Sequence, residues 1–97
     1  MERDHADAVL EYIGANVHRH RVRLGLTQDA LAEAAEISTG FLQRVERGKT
    51  NVGVVVLVRL ADALGVEPGV LLRRATLPEV TRGRPPRSPR AKRQPSR

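Results

Sequence analysis

The chain has 97 residues, with 17 Lys and Arg against 11 Asp and Glu, a net charge of +6 and a pI near 11.2. A chain this short buries roughly 60% of its extended surface around one small core, which excludes the TIM barrel and the dinucleotide-binding fold. The absence of cysteine excludes disulfide scaffolds and Cys nucleophiles, and no run approaches the ~20 apolar residues of a membrane span, so a soluble, cytoplasmic protein is expected.

Leu10, Ile13, Val17 and Leu24 recur at helical spacing, predicting a first amphipathic helix over about residues 7 to 23. Asp4 or Asp7 is its candidate N-cap and Gly25 its end. Thr27 caps a short second helix, in which Leu31 and Ala34 share a face, and Ala35-Glu36-Ile37 forms the turn after it. Ser38 caps a third helix with Phe41, Leu42 and Val45 as its inner stripe, stopped by Gly48. Two short helices across a three-residue turn make a helix-turn-helix over about residues 27 to 46.

Val54 to Val58 reads as a strand on composition, but Val54, Leu57, Leu60, Ala61 and Leu64 form a helical stripe ending at Gly65. Pro68 then occupies a first helical position, so Val70, Leu71 and Leu72 are expected to close the core as a short fifth helix. The expected fold is all-α, a compact five-helix domain.

The positive charge is unevenly placed. Residues 1 to 72 carry eight basic residues against ten acidic ones, net −2, whereas residues 73 to 97 carry nine basic residues and only Glu79, net +8. Five of the six prolines also lie beyond Leu77. A folded domain over 1 to 75 is therefore expected, followed by a disordered Arg/Pro-rich arm over 76 to 97 that cannot bury enough apolar surface to order itself.

Leu26-Thr27-Gln28-Asp29-Ala30-Leu31-Ala32-Glu33-Ala34, then Ser38, Phe41-Leu42, Val45-Glu46-Arg47-Gly48-Lys49-Thr50 and Leu60-Ala61-Asp62-Ala63-Leu64-Gly65-Val66, closely resemble the lambdoid repressor and Cro (XRE) family of DNA-binding domains. The resemblance covers roughly residues 9 to 72. It implies a third helix in the major groove and a homodimer on a two-fold symmetric operator.

By that resemblance Thr39, Gly40, Gln43 and Arg44 are the base-reading positions. Arg44 suits guanine O6 and N7, Gln43 suits adenine N6 and N7, and Thr39 suits a thymine methyl. Gln28 and Ser38 at helix starts, with Arg47, Lys49 and Asn51 after the third helix, match phosphate contacts. Arg21 and Glu46 match a partly buried ion pair, for which loss of one partner leaves an unpaired charge.

Three features depart from the family's pattern. Glu36 stands where glycine is usual because the backbone tends to be left-handed. Val55 and Val56 replace polar residues, as harmless surface valines or as a dimer patch. His18 and His20, near the end of the first helix, meet phosphate or are solvated, and no third ligand at metal-like spacing accompanies them.

In the arm, Arg82-Gly83-Arg84-Pro85 resembles the core of the AT-hook, which implies a minor-groove contact on A/T-rich DNA. A generic polybasic arm is the alternative. The leading expectation is a DNA-binding transcriptional repressor. An antitoxin with a toxin partner, a restriction-modification controller, and an activator touching RNA polymerase are the alternatives. No cofactor, metal or membrane partner is implied, and Ser38, the one serine of the folded part, serves as a cap rather than a nucleophile.

Overall fold

Residues 4–78 are described by the computed structural model, as four α-helices and one 3₁₀ helix with no strand among them. α1 (His5–Arg23) starts after Asp4, whose side chain makes no capping bond, and ends at Leu24. α2 (Gln28–Ala35) is capped by Thr27, whose hydroxyl accepts from Ala30 N–H at 3.0 Å. α3 (Thr39–Glu46) is capped in the same way by Ser38, accepting from Phe41 N–H at 3.0 Å. α4 (Val54–Leu64) confirms the helical spacing over the strand propensity, and the fifth place is taken by a 3₁₀ helix, Pro68–Leu72.

The core joins Ile13 and Val17 of α1, Leu31, Ala32 and Ala35 of α2, Leu42 and Val45 of α3, Leu60, Ala61 and Leu64 of α4, and Leu71. Four expected core positions fall elsewhere. Leu24 is the C-cap of α1 and points out as the chain turns, so Leu26 packs against the core instead. Ala34 is exposed because α2 is gripped by both α3 and α4, which centres its buried arc on Leu31, Ala32 and Ala35. Val54, first in α4, is 75% exposed, and Leu72 lies outside the core beside fully buried Leu71.

Two backbone positions set where α3 lies. Gly14 sits in the middle of α1 where it crosses α3, and a Cβ there would run into the carbonyl oxygens of Val45 and Glu46, the latter at 2.9 Å. Only a residue without a side chain permits that approach. Glu36 adopts the left-handed conformation (φ 62°, ψ 42°) that its position demands, at a cost on the order of 1 kcal/mol. Its N–H and that of Ile37 cap the α2 carbonyls of Glu33 and Ala32. Glutamate therefore makes the turn in the geometry usual for glycine.

Candidate nucleic-acid interface

The outer face of α3 carries Gly40, Gln43 and Arg44, all exposed. A Cβ on Gly40 would meet nothing nearer than an Arg44 nitrogen at 4.0 Å, so the face there is open. The Arg44 guanidinium lies 5.6 Å from the centre of the Phe41 ring, a contact that limits its rotamers. Thr39 is less free, since its hydroxyl donates to Asp29 Oδ1 at 2.7 Å, which leaves the methyl to make contacts.

Gln28, the first residue of α2, is held at both ends. Its amide nitrogen donates to Glu46 Oε1 at 3.1 Å, and its amide oxygen accepts from Gln43 Nε2 at 3.4 Å. The side chain expected at a phosphate thus also links the reading face to the interior. The Ser38 oxygen caps α3, and its O–H has no partner among the described residues. Arg47, Lys49 and Asn51 follow α3 in exposed positions and have no side-chain partner among the described residues.

Beneath this surface the expected ion pair is present and is the centre of a larger network. Arg21 donates to Glu46 through Nε at 2.7 Å and Nη2 at 3.1 Å, and through Nη1 to the Leu26 carbonyl at 2.9 Å. His18 joins it, against the expectation of a phosphate contact or a solvated ring: its Nδ1 lies 3.3 Å from both Glu46 Oε1 and Arg21 Nη2. Burial pushes the Glu46 carboxyl up, but the hydrogen bonds from Arg21, Gln28 and His18 and the Arg21 charge outweigh it and hold the group below its ordinary 4.5. A carboxylate 5% exposed therefore stays ionised, and it ties α1 and α2 to the last residue of α3.

His20 has a different environment. Burial first, then the charges of Arg19, Arg23 and Arg73, lower it below its ordinary 6.5, and its Nε2 is buried with no partner among the described residues. Asn16, fully buried, donates to the carbonyls of Leu71 at 3.1 Å and Arg73 at 2.8 Å and accepts from Arg19 at 3.1 Å. Sequence reasoning missed Asn16 and Gly14. Their signals were a polar residue and a glycine placed inside the Ile13 to Val17 apolar stripe.

The valine patch is corrected in composition. Val55 is 62% exposed, but Val56 packs against the core, so the exposed apolar face of α4 is Val54, Val55 and Val58. No group of residues suited to a metal occurs among the described residues, and none of their helices is long and apolar enough to cross a membrane. Arg82, Gly83, Arg84 and Pro85 lie outside the described residues.

A family profile described as a helix-turn-helix domain matches residues 13–75. The chain is 41% identical over 54 residues to an uncharacterized HTH-type transcriptional regulator, y4dJ, of Sinorhizobium fredii, covering 56% of this chain and 70% of that one. It is 36% identical over 56 residues to the HTH-type transcriptional regulator RamB of Mycobacterium tuberculosis, where it covers 58% of this chain but spans only 12% of that regulator.

Among solved structures, the restriction-modification controller protein C.AhdI from Aeromonas hydrophila superposes with a TM-score of 0.62 at 35% identity, over 64% of this chain and 94% of that one. The biofilm regulator SinR, solved in complex with DNA, superposes with a TM-score of 0.60 at 29% identity, over 63% of this chain and 98% of that one.

Proposed function

Because the chain belongs to the helix-turn-helix family and is a DNA-binding transcriptional regulator of the XRE type, we propose that it acts as a repressor, binding a palindromic operator as a homodimer with α3 in the major groove. In this reading Arg44 and Gln43 read base edges, and the Thr39 methyl adds an apolar contact. Gly40 lets the backbone approach closely. Gln28, Ser38, Arg47, Lys49 and Asn51 fix the register on the phosphates. Repression follows from occupancy of a promoter. The family is one of regulators rather than enzymes.

The observation that carries the reading is the uncovered Gly40, Gln43 and Arg44 face of α3, braced from below by Gln28. Selection of bound fragments from random DNA tests it. Two inverted half-sites about 34 Å apart, one helical turn, are expected. Arg44→Ala should relax the preference at one base pair per half-site by about 1–3 kcal/mol, whereas Lys49→Ala should weaken all sequences alike. Asymmetric fragments, or an unchanged preference in Arg44→Ala, would overturn it.

A second reading, a restriction-modification controller, is supported by the match to nearly the whole length of C.AhdI. A restriction enzyme encoded beside this chain would favour it.

A further inference from the structure

On the side of α1 that carries Arg19, the helix and the segment after the 3₁₀ helix border an open groove of about 440 Å³. Its lining includes three basic side chains, His18, Arg19 and Arg74, and the apolar surfaces of Ala15, Val22 and Pro78, with no carboxylate among the described residues that line it. None of these residues belongs to the DNA-facing set. The volume falls in the range of small-molecule sites, which combine apolar walls with a few placed polar groups.

The basic lining is braced from within. Arg19 donates through Nη2 to Asn16 Oδ1 at 3.1 Å, and the same buried amide holds the carbonyls of Leu71 and Arg73 at 3.1 and 2.8 Å. One fully buried residue thus orients Arg19 and fixes the strand of chain that presents Arg74 across the groove. Arg74 has no side-chain partner among the described residues. Two arginines lining one apolar-walled space suit a carboxylate, whose paired oxygens accept the parallel N–H donors of a guanidinium fork.

His18 belongs to both the groove and the interior. It lines the groove, and its Nδ1 lies 3.3 Å from Glu46 Oε1 and 3.3 Å from Arg21 Nη2. Those two partners demand opposite roles, because Nδ1 must accept from Arg21 or donate to Glu46. A ligand seated against the ring bears on which of the two partners Nδ1 bonds, and so on the Arg21 and Glu46 pair beneath α3.

We propose that this groove is an effector site for a small organic carboxylate with a short apolar body, and that its occupancy reaches α3 through His18 and Glu46. The binding stands apart from the DNA-binding reading; only its consequence for the operator rests on it.

Titration of the full chain with hexanoate, followed by amide NMR, tests both parts without DNA. Saturable shifts are expected in α1 and residues 73 to 78, and also at Glu46 and Gln28. Hexylamine should produce none, and inorganic phosphate should bind more weakly. Arg74→Gln should bind hexanoate about tenfold or more weakly, as loss of a charge-assisted hydrogen bond implies, with an unchanged melting temperature. His18→Gln should bind hexanoate more weakly and, at saturation, keep the shifts in residues 73 to 78 while losing those at Glu46 and Gln28. Equal binding of hexylamine or phosphate, or hexanoate binding unaffected in Arg74→Gln, would overturn the site. Persistence of the Glu46 shifts in His18→Gln would overturn the route to α3.

Discussion

Glu46 shows how much one side chain organises here. It ends α3, accepts from residues of α1 and α2, and is 5% exposed, so its removal strands Arg21, itself 12% exposed. Glu46→Ala is expected to cost about 3 kcal/mol, the lower end for a broken buried pair because Arg21 retains some solvent. A calorimetric melt should fall by more than 10 °C, roughly, and DNA affinity should fall with it; an unchanged melt would remove the pair from the account of how α3 is held.

Acid acts at the same scale. The unfolded chain takes up a proton at His20 near 6.5, where the folded state resists it, so stability should decline as pH falls below 6.5. Glu46, held below 4.5, contributes stability present above that value and lost as pH falls through its lower folded value. His20→Gln should flatten the upper limb of a stability-against-pH curve, and Glu46→Gln the lower. Gly14→Ala should cost about 1–3 kcal/mol by pushing α3 off α1; a thermal melt matching the parent would mean that the crossing adjusts freely.

At the scale of elements, caps and periodicity were legible before the fold. Thr27 and Ser38 cap the helices they were expected to cap, and the valine run became α4 because its apolar spacing is helical. Which arc of each helix is buried was less legible. Ala34 and Val54 satisfy the spacing yet are exposed, since the buried arc depends on where neighbouring helices cross and on how near a residue lies to a helix end.

For the same reason the apolar face of α4 is Val54, Val55 and Val58 rather than Val55 and Val56. We propose this face as the homodimer contact. Sedimentation of Val55→Glu should show the monomer, with its helical content intact, and a dimer of unaltered strength would place the contact elsewhere.

For the whole molecule, the net charge of +6 is misleading as a description of the domain. Residues 1 to 72 are net −2, so affinity from the domain should rest on a few positioned donors, Gln28, Arg44, Arg47 and Lys49. The +8 beyond residue 72 is proposed to add sequence-independent attraction to phosphates. Deleting residues 76 to 97 should flatten the plot of log affinity against log salt by about 0.9 per phosphate released, several units in all. An unaltered slope would exclude the arm from binding. Equal affinity of the 76 to 97 peptide for A/T-rich and G/C-rich duplexes would exclude the AT-hook for Arg82, Gly83, Arg84 and Pro85.

The sequence by itself determined the helices, their caps, the helix-turn-helix and the outward residues of α3, because spacing and capping are local and act along the chain. The Arg21 and Glu46 pair was legible only through family likeness. Tertiary structure alone decided that Gly14 lets α3 close on α1, that Asn16 anchors the chain after Leu71, and that His18 joins Glu46. These depend on contacts 28 to 57 residues apart in the chain, which no local period encodes.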